Sequence, residues 1–528
     1  MRFRQNSSLI VLAALICVMS SLLLNTHPLY AAEVKKTTAK LQPQYGGTLR
    51  IGDQFDGTSI GYPPKLVAVF YSQKQATPAV EALLRTDKTG KPVPWLATAA
   101  KEDPKAQTIV LSLRKGVKFH DGTDFNAEAV KWNLDQSIAA KSEGTEKFKS
   151  VDTVDNYTVR ITLSEWDNTV LSNLTQPLGM MVSPSACKKN GEEWCASHPV
   201  GTGPFEFVSW EKGVKTVYKK FSGYWQKGKP YLDGVEWIPV ADSLTRFLSF
   251  KKGELDFAEM LSPKDLADLE KDGYPIIKAK MGSGVYNLIP DSANPKSPFA
   301  DVRVRQATQY AIDTQALAQV VLYGQVEPAN QYIFKGHWGY NASVAGYPYN
   351  PAKARKLLAD AGYPSGFKTK LLYRTNPQDD LIYTAVQGYL KAVGIDVELD
   401  PAQTGRYNQV FSQGGKWEGL IVGGWNTNPD VAAALAMRYA GGGKYFSQML
   451  VPDDYAKAVR DAVTAKTFSA KQKAVKDAMK LIVDKHCLQI QLYCPSGFAT
   501  YQASLHDHGF YETPNTASWT PEDAWLAK

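Results

Sequence analysis

Three places in the chain gather side chains with chemical potential, and each lacks a necessary partner. Gly57-Thr-Ser-Ile-Gly61 has the spacing of a nucleophile elbow. That motif presents its serine on a turn leading straight into a helix. Pro63 and Pro64 follow here instead, so Ser59 reads as a loop hydroxyl. His120 and Asp121 are an acid–base pair by type, but nucleophilic catalysis needs a third group. Phe119-His-Asp-Gly122 reads as a turn in which Gly122 supplies freedom in φ. His506-Asp-His508 has metal-binding types but stands near the chain end, away from the other candidates. The sequence has neither a His-Glu-x-x-His zinc helix nor a phosphate-binding Gly loop with Lys. No catalytic residue is assigned, and no metal or cofactor is expected.

Binding chemistry is concentrated elsewhere, in Gly419-Leu-Ile-Val-Gly-Gly-Trp-Asn-Thr-Asn-Pro-Asp430. Leu420, Ile421 and Val422 form an apolar run short enough for a buried strand. Gly423 and Gly424 let the backbone pass close to a neighbour. Trp425 then offers an apolar face, Asn426 and Asn428 offer amides, and Pro429 ends the strand. An apolar ring beside convergent amides is the make-up of a lined ligand pocket; a buried core Trp over a turn is the plainer alternative.

The elements before this stretch place it. Lys370 to Tyr373 reads as a strand that ends in Arg374-Thr-Asn-Pro377. Apolar residues at 381, 382, 385, 386, 389, 390 and 393 have helical spacing, and Gly394 suits the helix end. Ile395, Val397 and Leu399 alternate with acids as a strand does. A short helix from Arg406 to Gln413 leads to Leu420. Strand–helix–strand–helix–strand predicts a right-handed parallel sheet. Ligands bind such sheets outside the carboxyl ends of the strands. Arg374, Trp425, Asn426 and Asn428 are therefore candidate ligand residues. Asp53 and Tyr62 bound another loop that follows a strand (48–52), and are expected to face them.

The chain opens with Arg2 and Arg4, an apolar run from Leu9 to Leu24, and the small residues Ala31 and Ala32. That is the layout of a secretory signal peptide over residues 1–31; a retained membrane anchor is the alternative. Loss of Arg2 and Arg4 with the leader lowers the formal net charge from +8 to +6. The remaining lysines are dispersed, with no basic run longer than a pair, which argues against nucleic acid. Cys187, Cys195, Cys487 and Cys494 form two close pairs. In an exported protein these predict two local disulfides, with metal ligation as the alternative.

A family resemblance rests on blocks along the whole mature chain. They are Arg114-x-Gly-Val-x-Phe-His-Asp-Gly122 with Phe125-x-Ala127 and Val130-x-Trp132, then Gly201-Thr-Gly-Pro-Phe205 and Tyr224-Trp225 with Gly228 to Asp233. Phe247 to Phe257, Asp301 to Ala307 and Asn350 to Pro364 complete the set. Together they resemble the dipeptide/oligopeptide/nickel class of ABC-importer substrate-binding proteins, bacterial extracellular solute-binding protein family 5.

The resemblance implies an α/β, two-lobe periplasmic-binding-protein fold of the class II type, with an extra subdomain inserted in the first lobe. Lobe I would span 46–287 plus 495–528, and lobe II 288–494. The implied function is that of a periplasmic, monomeric solute-binding protein. It would capture a peptide, oligosaccharide or opine-like ligand by hinge closure and dock on a membrane permease; an exported hydrolase is the alternative. In peptide-binding members an acidic residue follows the Trp of this loop closely and meets the peptide ammonium. Here Asn426, Thr427 and Asn428 follow Trp425, and the first acid is Asp430. That points away from free-amine peptides and toward neutral ligands, or toward carboxylates held by Arg374 or Arg406.

Overall fold

The structure, a computed structural model, describes residues 42–66, 70–278, 284–375, 377–424, 428–441, 444–494, 497–515 and 519–528. The leader expected at 1–31 lies outside the described residues, as do Trp425 and Asn426.

Two large sheets organise the chain. The first has seven strands in the order Ile276–Ile277, Ala499–Tyr501, Phe257–Ala258, Thr48–Asp53, Gly234–Pro239, Lys215–Lys220, Phe205–Glu211. Thr48–Asp53 lies at its centre, parallel to both neighbours, and alternates a buried Leu49 and Ile51 against the core. The second sheet has five strands, Ile395–Ala402, Phe367–Arg374, Leu420–Gly423, Tyr286–Pro290 and Ile490–Tyr493. Its first three are parallel, with Phe367 opposite Ile395 and Leu371 opposite Leu420. The helices Pro377–Lys391 and Thr404–Ser412 are the crossovers, as the apolar spacing predicts. Pro401 is accommodated because its strand is an edge. Tyr286–Pro290 is hydrogen-bonded into this second sheet, Asn287 opposite Gly423. The expected lobe division after Asn287 thus falls inside a strand.

Between the first strands of lobe I is a separate antiparallel sheet of Ala97–Asp103, Thr108–Leu113, Thr158–Leu163 and Phe148–Asp155. Helix Ala127–Ala139 packs on it, and its first turn is capped by Asn126, whose Oδ1 accepts from Ala129 N at 3.0 Å. This is the inserted subdomain. It is fastened to lobe I through the buried Glu81 carboxylate. Trp95 Nε1 (2.8 Å), Thr202 Oγ1 (2.8 Å), Tyr224 OH (2.9 Å) and Trp225 Nε1 (3.1 Å) all donate to it. Four donors on one carboxylate compensate its loss of water.

Cys187 and Cys195 form the first expected disulfide, joining the short helices Pro184–Asn190 and Glu192–Ser197. The second expectation is corrected. Cys487 and Cys494 are both buried thiols and do not bridge. The strand Ile490–Tyr493 runs between them; four extended residues carry the chain roughly 13 Å, and a disulfide needs Cα atoms within about 7 Å. Burial pushes the Cys487 thiol up to about 12, so it is also unreactive.

The other chemical candidates are structural. Ser59 Oγ donates to Ala196 O at 3.0 Å in the interior. His120 Nε2 bonds Gly203 O at 3.0 Å, and burial lowers the ring to about 4. Gly122 takes φ +82° in the predicted turn.

Candidate functional site

The carboxyl ends of the parallel strands in the second sheet converge on Arg374, Gly424 and Asn428. Gly423 must lack a side chain, because a Cβ there would lie 2.1 Å from Asn287 Oδ1 on the adjacent strand. Tyr407, from helix Thr404–Ser412, donates its hydroxyl to Val422 O at 2.7 Å. Arg438, from helix Val431–Tyr439, donates Nη1 to Gly424 O at 3.1 Å. Tyr286 stacks on Tyr493 with ring centroids 4.8 Å apart. Burial raises the Tyr407 phenol, and Arg374 and Arg438 both oppose that rise. Arg374 ends its strand and is exposed there. From the inserted subdomain, Glu143 faces Arg438 and Lys444; desolvation raises its carboxyl and both cations pull it back.

Arg406, the other arginine singled out by sequence, precedes Tyr407 in helix Thr404–Ser412. Its guanidinium is paired with Asp400 through Nη1 at 2.7 Å and through Nη2.

Asn428 is anchored across the cleft. Its Oδ1 accepts from Ser172 Oγ at 2.9 Å, and its Nδ2 donates to Asn173 Oδ1 at 2.8 Å. Asp430, the first acid after the Trp loop, is consumed: Oδ1 accepts from Ala432 N at 2.9 Å to cap a helix, and Oδ2 pairs with the buried Lys471. Its carboxylate is buried and paired within the protein.

The facing loop of the first lobe is closed in on itself. Asp53 is fully buried, with Oδ2 3.0 Å from Lys74 Nζ. The same ammonium lies 2.5 Å from Glu259 Oε1, and Tyr511 OH donates to Glu259 Oε2. Desolvation, reinforced by the Asp53 charge, raises Glu259 against the pull of Lys74. Tyr62 packs in the lobe I core with its hydroxyl donating to Gln136 Oε1 at 3.1 Å, and desolvation raises the phenol to about 12. Lys74 and Glu259 escaped sequence reasoning. Glu259 follows Ala258 at the end of a strand parallel to Thr48–Asp53, with its N–H on Gly52 O at 3.0 Å. Its place two residues after Phe257, where a resemblance block stops, was the available signal.

The matching of this geometry to known proteins decides the family. The family model for bacterial extracellular solute-binding proteins, family 5 Middle, matches residues 91–446. The chain belongs to this family. It is 35% identical over 433 residues to the glutathione-binding protein GsiB of Pectobacterium atrosepticum, covering 78% of this chain and 82% of that protein. In fold it is similar to Helicobacter pylori DppA, a periplasmic binding protein solved with the peptide STSA. The TM-score is 0.76 and the identity 24%, over 92% of this chain and 99% of that one. It is similar also to AgaA of A. tumefaciens R10, solved with agropinic acid (TM-score 0.74, 24% identity, 91% and 99% covered).

The two-lobe α/β fold and the solute-binding role follow: this family 5 protein captures a small ligand and delivers it to an ABC importer. Its relatives are substrate-binding proteins of the periplasm. Among the described residues no helix is long and apolar enough to cross a membrane.

Proposed function

We propose that the ligand of this family 5 protein is a small carboxylate-bearing peptide or amino-acid conjugate, held at the lobe II strand ends. The observation that carries the reading is the exposed Arg374 at the end of its strand, with Arg438 reaching the end of the neighbouring strand at Gly424 O. Guanidinium forks match carboxylates in shape and charge. The spent carboxylate of Asp430 supports the same reading, because a lone peptide ammonium would need such a partner. A zwitterionic α-amino acid end, as in glutathione, brings its own counter-charge and suits this edge. The 35% identity to a glutathione-binding protein adds support. Trp425 and Asn426 are proposed to complete the wall, the ring giving an apolar face. The protein is proposed to act as a periplasmic monomer after removal of residues 1–31, closing on ligand before it meets the permease.

Calorimetry with glutathione, agropinic acid, an unblocked dialanine and maltotriose is the test. Glutathione or agropinic acid should bind, without turnover, and maltotriose should not. Trp425→Ala should weaken binding by roughly 1–3 kcal/mol, the scale of a lost aromatic contact. Asn426→Asp should also weaken it by placing a negative charge near the carboxylate. Tight binding of maltotriose with no heat from either anion would overturn the reading.

A further inference from the structure

The inserted subdomain reaches lobe II through the turn at residues 166–173, and that turn completes a helix it does not belong to. Helix Asp453–Thr464 ends at Ala465, whose ψ of 137° carries the chain away in an extended direction. The last carbonyls of any helix lack intrahelical donors. Here the donors come from across the cleft. Asn168 gives its backbone N–H to Val463 O (2.9 Å) and its Nδ2 to Ala462 O (2.8 Å) and Ala465 O (2.9 Å). The Trp166 indole N–H adds a bond to Ala465 O at 3.1 Å. In return, Lys471 Nζ donates to Asn168 O at 3.3 Å.

The turn is shaped for this before it docks. Asp167 Oδ1 accepts from both Thr169 N (2.8 Å) and Thr169 Oγ1 (2.7 Å), a local Asx turn that aims Asn168 outward. Its far end, Ser172 and Asn173, holds the Asn428 side chain. The segment 166–173, a turn running into the short helix Val170–Asn173, therefore grips both a lobe II helix end and Asn428.

We propose that residues 166–173 form an inter-lobe latch in which Asn168 is a positioning residue for ligand capture. It favours the closed arrangement, in which the same segment holds Asn428, without touching ligand. A binding-competent state that is only partly populated weakens apparent affinity in proportion. Loosening the latch must therefore weaken every ligand by the same factor, whatever its chemistry, and the inference is independent of the ligand class.

The first test needs no ligand. Small-angle scattering of the mature protein should give a larger radius of gyration for Asn168→Ala than for wild type, at an unchanged melting temperature. Trp166→Phe, which keeps the ring and removes only the N–H, should shift in the same direction by less. With glutathione as probe, Asn168→Ala should dissociate about tenfold faster at nearly unchanged association rate, the usual partition for lost closure contacts. Superimposable scattering curves for wild type and Asn168→Ala overturn the latch. Failure of glutathione to bind wild type counts against the ligand class alone, because the scattering comparison still decides the latch.

Discussion

Both lobes keep charged side chains at the carboxyl ends of their parallel strands, and they use them in opposite ways. In lobe I, Asp53 and Glu259 end neighbouring strands and share the Lys74 ammonium, all fully buried. Tyr511 from the C-terminal segment seals the Glu259 side. In lobe II, Arg374 ends a parallel strand and is exposed, and Arg438, from helix Val431–Tyr439, donates to Gly424 O beyond the next strand end. Topology offers both ends to a ligand. Charge neutralised inside the protein becomes a clamp on the fold; exposed charge at a strand end is proposed to serve recognition. Position in the sheet thus nominates a site, and the charge balance around it decides its use.

The comparison breaks most visibly at Lys74. Lys74→Met removes the cation in contact with both buried carboxylates, leaving the buried Arg246 as the other positive charge acting on them. Stranding buried charge of one sign costs about 3–5 kcal/mol. Chemical denaturation should show a loss of that size, and Glu259→Gln on the same background should recover part of it. A loss below about 1 kcal/mol would mean that the cluster is not a clamp.

Arg374→Ala is the matching change in lobe II and should do the reverse. Glutathione binding should weaken by about 2 kcal/mol, roughly thirtyfold, as expected for a lost charged hydrogen bond. Stability should stay within about 0.5 kcal/mol, because the residue lies on the surface. Equal affinity for wild type and variant would remove Arg374 from the site.

What the sequence made legible, and what it hid, follows the same division. The lobe II unit from residue 367 to 423 was readable because its signals are local: apolar spacing, Gly394 at φ +96°, and strand alternation. The caps Asn126 and Asn350 are equally local, each bonding a residue three positions on. The family blocks made the two-lobe fold legible as well. Lys74 with Glu259, and Asn168 with Ala465, were not readable. Their partners lie 185 and 297 positions apart, and no periodicity reports which loops meet. The second disulfide failed for a related reason: closeness in sequence is cancelled when the intervening residues extend into a strand. Asp53 ends the first strand and Tyr62 lies in the segment that follows it. Their burial depends on Lys74, Gln136 and the C-terminal segment, which lie outside that loop.

Tyr62 gives the finest test of the comparison, because both of its possible roles predict small effects of different kinds. Its ring belongs to the lobe I core, and its hydroxyl donates to Gln136 Oε1. Tyr62→Phe keeps the ring and removes that one bond. If the residue belongs with the clamp, stability should fall by about 0.5–1.5 kcal/mol, the net worth of a single hydrogen bond. Glutathione affinity should then be unchanged once both proteins are fully folded. The phenol is also held far from ionisation, at about 12, mainly by desolvation with Glu192 adding to it. It therefore stays neutral across the working pH range, and wild type and variant should share one pH profile of binding. A drop in affinity without a drop in stability would move Tyr62 to the ligand side, and lobe I would then contribute a recognition surface as well as a clamp.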